Sequence, residues 1–279
     1  MIPAPVGYVR PDSLEEALGA LEEPEAKALA GGQSLLPAMK LRLARPTLLV
    51  DLAGLGLRGV RADDGEVAIG ALTTWDDLVR SDALHRPELA ALSECAAGIG
   101  DLQVRNLGTI GGGLAHADPA SDMPAVALAL GARVRLRGGS DERTLDVAEL
   151  FLGPFTTGLE PGELITEVVV PVPQPGSGSA YVSVEHPASG FALAGAAALA
   201  GPGGTTRVAV TGIAGRPFFL EPEGEPEEAL AQTGATDDRF APAEYRRHLA
   251  AVVVRRALAL ARERAEEGAR GGSRRGRGA

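Results

Sequence analysis

One cysteine, Cys95, stands in 279 residues. A single thiol excludes an intramolecular disulfide, and it excludes a four-cysteine zinc or iron–sulfur site within the chain. Because Cys95 follows an apolar helical run, it reads as a buried, inert thiol. Aromatic residues are scarce too, at 4% against 45% for all hydrophobic residues. Small and aliphatic side chains must therefore fill the core, and the Ala- and Gly-rich runs supply them. No apolar stretch reaches membrane-spanning length, and no basic segment leading into an apolar one opens the chain. These absences lead us to expect a cytoplasmic protein with no direct membrane insertion.

Positive charge is also in deficit: the formal net charge is −10 at pH 7. An acidic surface repels a phosphate backbone, so nucleic acid is not an expected partner. The exception is residues 269–279, ARGGSRRGRGA, which hold no apolar side chain larger than Ala. Such a stretch cannot bury enough surface to offset its ordering entropy, and we expect a disordered basic tail. The other reading is contact with an acidic partner surface. No Ser/His/Asp set and no paired carboxylates mark a nucleophilic or acid–base centre.

The length suits two or three modules. Ser13 reads as an N-cap, with Glu16 completing a capping box for a helix ending at Leu21. A strand over 26–29 runs into Gly31 and Gly32, a helix starts near Ser34, and a strand covers 48–52. Strands over 67–69, 133–137 and 164–170 and helices over 74–80, 87–98 and 120–130 follow. PVPQPGSG, 171–178, is rich enough in Pro and Gly to mark a boundary. Beyond it come three strands, 180–184, 191–199 and 207–212, then helices over 225–233 and 242–267. The last helix carries Leu249, Val253, Ala257, Leu260 and Ala261 on one stripe. The chain so divides into 1–55, 56–175, 176–268 and the tail.

Two glycine-rich stretches carry the chemistry. Ala30-Gly31-Gly32-Gln33-Ser34 lies between a strand and a helix; Thr109-Ile110-Gly111-Gly112-Gly113 is a second turn rich in backbone donors. Backbone N–H groups hold a pyrophosphate well, glycine lets them approach, and a following helix adds its dipole. Each turn alone is as compatible with a tight structural turn. The first lacks Walker A spacing, since Lys40 lies too far on, and the second does not fit the Rossmann fingerprint.

AGGQSLLPAMKLRLARPTLLVDL (30–52) and QVRNLGTIGGGLAHADPASDMPAVALALGA (103–132) closely resemble the FAD-binding medium subunits of molybdenum hydroxylases. This is the carbon monoxide dehydrogenase and xanthine dehydrogenase family. IGALTTWDDL (69–78), GELITEVVVP (162–171) and HPASGFALAGAAA (186–198) extend the resemblance to nearly the whole chain before the tail. It implies an α+β fold related to vanillyl-alcohol oxidase. Two subdomains would clasp one FAD, and a C-terminal module would carry a three-stranded sheet with helices. It further implies that the pyrophosphate lies against Ala30, Gly31, Gly32, Gln33 and Ser34 on one side. Thr109, Ile110, Gly111, Gly112 and Gly113 would face it from the other. Asp122 would lie near the adenosine ribose, and Leu164 or Ile165 by the flavin ring.

The implied partners are a large subunit with a molybdenum cofactor and a small subunit with two [2Fe-2S] clusters, in a dimer of heterotrimers. Electrons would reach the FAD from those clusters and leave to a quinone, NAD or oxygen. No residue of this chain is expected to be catalytic by itself, because the flavin carries the redox chemistry. Two positions depart from the family pattern. Gly113 replaces the usual Ser or Asn, and Gly190 stands where an aspartate is common. They keep a scaffold subunit with a vestigial nucleotide cleft in view, beside a free-standing flavin oxidoreductase.

Other polar residues have plainer readings. His116 and Asp118 are too few for a metal site, so no metal is expected; loop hydrogen bonding or a position near the flavin fits them better. Arg105 and Asn106 read as braces for the second turn, Asp76 and Asp77 as helix-start acids, and Glu185 with His186 as a surface pair. Trp75 and Tyr181 fit either core or interface.

Overall fold

The computed structural model describes residues 2–139, 141–221 and 224–275, with side chains up to 269. The chain opens with β1 (Gly7–Val9), α1 (Leu14–Leu21), β2 (Lys27–Leu29), α2 (Leu35–Lys40) and β3 (Leu48–Asp51). These strands form a parallel sheet in the order β1-β3-β2. Ser13 caps α1 by accepting the Glu16 N–H. Glu16 does not close a box on Ser13: its carboxylate accepts from the Asp12 N–H, one residue upstream. The core here is small, Ala17, Leu18, Val50 and Leu52, completed by Leu164 from elsewhere in the chain.

Next come β4 (Val60–Asp63), β5 (Glu66–Gly70), α3 (Trp75–Arg80), α4 (Ala90–Gly98), α5 (Leu102–Leu107), α6 (Ile110–His116) and α7 (Met123–Ala129). Then follow β6 (Arg133–Gly138), β7 (Asp141–Asp146), α8 (Val147–Leu150), β8 (Phe151–Gly153), β9 (Thr156–Thr157) and β10 (Leu164–Pro171). A five-stranded antiparallel sheet, β4-β5-β10-β6-β7, backs the largest apolar cluster. The structure corrects the expected second turn. The glycines of TIGGG lie inside α6, which Thr109 caps by accepting from the Gly112 N–H. β1, β4, α5 and β7 also went unforeseen: they are short or mostly exposed, so no apolar periodicity betrays them.

The remainder holds β11 (Gly178–Glu185), β12 (Ala192–Ala200), β13 (Thr206–Thr211), β14 (Phe218–Leu220), α9 (Pro226–Ala231) and α10 (Ala243–Arg275). Its sheet has four strands rather than three, because β14 pairs with the outer edge of β13. Every residue of β12 is buried. Alternation along the strand sends Ala194, Ala196 and Ala198 toward Val253, Ala257 and Ala261 of α10. Ala197 and Leu199 face the core of α4 and α7. Helices cover both faces closely, which is why Ala fills a strand that would otherwise favour branched side chains. Arg264 ties the layers together by binding Glu94 of α4 and donating to the Ser179 carbonyl at 2.6 Å. α10 continues through Arg275 into the stretch expected to be disordered, and 276–279 lie outside the described residues.

Candidate functional site

The two glycine motifs meet. A Cβ on Gly31 would fall 1.9 Å from the Leu107 carbonyl oxygen, and the Cβ of Ala30 comes within 3.5 Å of the Cβ position of Gly112. Only glycine allows that approach at position 31. Gly32 turns the chain at φ +70, which a side chain rarely tolerates. The amides of Gly31, Gly32, Gln33 and Ser34 have no acceptor among the described residues, while the Gln33 side chain donates to the Gly31 carbonyl at 3.2 Å. The first motif is therefore a braced turn with a row of unfilled backbone donors, the arrangement that suits a phosphate group.

The second motif differs in kind. Ile110 N–H donates to the Thr73 carbonyl at 3.0 Å and Gly111 N–H to the Ala71 carbonyl at 2.9 Å. Gly112 N–H goes to Thr109 Oγ1 at 3.2 Å and Gly113 N–H to the Thr109 carbonyl at 2.9 Å. The four amides from Ile110 to Gly113 are taken, contrary to the expectation that they stand ready for a ligand. What this side offers is Thr109 itself: neither its backbone N–H nor its hydroxyl hydrogen has an acceptor among the described residues. The glycines here serve close packing. A Cβ on Gly111 would fall 2.5 Å from the Ala71 Cβ, and one on Gly113 would fall 2.8 Å from the Trp75 ring. Trp75, 5% exposed, also lies against Gly108. It is a core residue, and it explains why residue 113 has no side chain.

Beside this junction lies a cavity of about 210 Å³, bordered by Ala30, Gly31, Arg58, Thr74, Asn106 and Thr109 among others. Ligand pockets typically run to about 300–1,000 Å³, so this cavity is small. Arg58, which sequence reasoning missed, holds Asp77 through two hydrogen bonds of 2.7 and 2.8 Å. Asp77 closes a capping box with Thr74, so its helix-start role is confirmed and enlarged. Burial pushes the Asp77 carboxyl up, but the bonds from Arg58 and Thr74 outweigh it and hold the group below its ordinary value. No local pattern flags Arg58, because its partner lies 19 residues away. Arg105 donates to the carbonyls of Ile99 and Gly100 and so braces the loop before α5, not the second motif.

The other expected ligands sit apart from that cavity. Asp122 is 8% exposed, and the Tyr181 hydroxyl donates to its carboxylate. Burial, with Glu185 nearby, pushes Asp122 up to about 6 against the pull of the Tyr181 bond. Tyr181 reaches it because Gly195 leaves room: a Cβ there would fall 2.2 Å from the hydroxyl. Leu164 and Ile165 are both buried, in different clusters, Leu164 joining the core of the first sheet. Glu185 and His186 do not pair; the His186 ring packs on Phe240 at 4.6 Å. Gly190 adopts φ +71, and its N–H closes a tight turn onto the His186 carbonyl. Burial pushes the Cys95 thiol well above its ordinary range, as expected for an inert side chain. Among the described residues no group of three or more His, Cys, Asp or Glu is placed to hold a metal, and no helix is long and apolar enough to cross a membrane.

Comparison with known proteins matches this geometry to one family. Residues 4–173 match the FAD-binding domain of molybdopterin dehydrogenases. The chain is 38% identical to the carbon monoxide dehydrogenase medium chain of Afipia carboxidovorans, over 95% of this chain and all of that one. It is 44% identical to the 6-hydroxypseudooxynicotine dehydrogenase complex subunit alpha of Paenarthrobacter nicotinovorans, over 71% of this chain and 68% of that one. Among solved structures, carbon monoxide dehydrogenase from Hydrogenophaga pseudoflava superposes with a TM-score of 0.89 at 36% identity, covering 95% of this chain and 99% of that one. The chain belongs to the FAD-binding medium subunits of the molybdenum hydroxylase family, and it is a flavoprotein subunit of an oxidoreductase.

Proposed function

We propose that this chain carries electrons within a cytoplasmic molybdenum hydroxylase. It would work beside a large molybdenum-cofactor subunit and a small [2Fe-2S] subunit, assembled as a dimer of heterotrimers. FAD, when bound, supplies two-electron redox chemistry that also runs in single-electron steps, and so links one-electron clusters to an acceptor. The named relatives that are chains or subunits of dehydrogenases support this reading.

The observation that carries it is the junction at Gly31. Its amide and those of Gly32, Gln33 and Ser34 hold the pyrophosphate, with Ala30 beneath them. Thr109 adds its hydroxyl from the facing motif. Ile110, Gly111, Gly112 and Gly113 bring Thr109 to that place by docking α6 on residues 71–75. Asp122 serves the ribose, and Leu164 or Ile165 lies by the flavin ring. We take 1–55, 56–175 and 176–268 as the modules of this reading.

The test is FAD uptake by the purified full chain. A flavin absorption band that survives desalting, and its loss in a Gly31→Val variant that still folds, supports the reading. No band after addition of FAD overturns it in favour of a scaffold role. Co-purification of the native complex reads the partners: flavin without iron and molybdenum subunits favours a free-standing oxidoreductase.

A further inference from the structure

α6 carries a polar side chain at each end. Thr109 caps its start beside Gly31, and His116 closes its last turn. Seven residues span about 10 Å of helix, comparable to the ribityl chain that separates a flavin ring from its pyrophosphate. Past His116 the backbone is unusual. Ala117 and Phe155 both take left-handed φ, 49 and 53, and the Phe155 N–H donates to the Ala117 carbonyl at 2.9 Å. A bulky residue in that region is strained, and such strain persists only where surrounding structure imposes it. It holds the Phe155 ring on the surface, 61% exposed, against the His116 ring at 5.2 Å.

Neither nitrogen of the His116 imidazole has a hydrogen-bond partner among the described residues. Asp118 Oδ2 stands 4.0 Å from Nε2, beyond hydrogen-bond distance. Asp118 is itself fixed, since its other oxygen accepts the Ala120 N–H at 2.9 Å. α6 also packs on β10, whose first residues are Leu164 and Ile165. An aromatic surface and an unfilled polar donor thus stand together at the far end of the helix that Thr109 caps, about 10 Å along its axis.

We propose that His116, its imidazole held between Phe155 and Asp118, meets the isoalloxazine ring of FAD and hydrogen-bonds to it. This rests on the FAD reading above. N1, N5 and the two carbonyls of an oxidised flavin accept hydrogen bonds, and its planar face packs on an aromatic side chain.

The test compares FAD with ADP, which carries the adenosine and pyrophosphate but no flavin, on the full chain. His116→Ala should weaken FAD binding about tenfold, the cost of one hydrogen bond, and leave ADP unchanged. His116→Gln, which keeps a donor, should recover part of the loss, and both variants should shift the flavin midpoint potential from the wild-type value. Equal weakening of FAD and ADP, or wild-type affinity and potential in both variants, overturns the proposal while leaving the FAD reading intact. A wild-type chain that takes up ADP but no FAD overturns both.

Discussion

The Leu107 carbonyl oxygen lies where a Cβ on Gly31 would stand, at 1.9 Å. Backbone faces backbone at this point, so no side-chain rotation can relieve an added methyl. Two segments 76 residues apart are held together by the absence of one carbon atom.

Gly31→Ala should separate the two motifs. We expect destabilisation of at least about 1–3 kcal/mol, the usual cost of overpacking, together with loss of FAD uptake. Thermal unfolding and flavin retention measure the two effects. Unchanged retention would show that the contact is not needed for binding.

Gly113→Ser restores the residue usual in the family but drives it into the Trp75 ring, 2.8 Å from the Cβ position. The single variant should lose about 1–3 kcal/mol. Pairing it with Trp75→Leu should cost less than the sum of the two changes, because the smaller side chain vacates the space. A double-mutant cycle by denaturant unfolding gives the coupling; strict additivity would refute the packing account.

Asp122 should give stability an unusual pH dependence. Folding raises its pKa from 3.8 to about 6, mainly by burial, so the native state binds this proton more tightly than the unfolded chain does. Its contribution is complete below pH 3.8 and is lost as the pH rises through 6, a change of about 3 kcal/mol. Asp122→Asn keeps an acceptor for Tyr181 and removes the proton. The stability difference between wild type and variant should shift in favour of the variant between pH 4 and 7. A difference that stays constant over that range would contradict it.

Arg246 is 4% exposed and donates to the carbonyls of Leu193 and Gly212 and to Asp238. Arg246→Met leaves two buried carbonyls without their donor, at a cost of about 1–3 kcal/mol each, while the solvent-exposed Asp238 carboxylate adds little. The damage should stay in the C-terminal sheet: the midpoint of unfolding falls, while the folded variant retains FAD as wild type does. A variant that folds normally but releases FAD would link this residue to the site.

Most of the fold was legible because most of it is periodic. The helix stripe from Leu249 to Ala261 and the alternation along 133–137 follow directly from which face is buried. Edge strands such as β4 and β14 were not legible, since a half-exposed strand of three or four residues leaves no pattern. At the site, the glycines of Ala30–Ser34 marked a tight turn, and the structure leaves its amides from Gly31 to Ser34 without acceptors among the described residues. The function of Thr109–Gly113 was readable only in outline, since a glycine run looks the same whether its amides await a ligand or dock a helix.

The sequence by itself determined the family, the two glycine motifs and the small-residue core, because these depend on residue identity and local spacing. Only the tertiary structure decided that the first motif keeps its donors open while the second gives its own to Ala71, Thr73 and Thr109. It also decided that Trp75 occupies the space beside Gly113 and that Tyr181 reaches Asp122 past Gly195. The physical reason is the same throughout. Hydrogen-bond partners and excluded volume come from segments distant in the chain, and no local pattern records them.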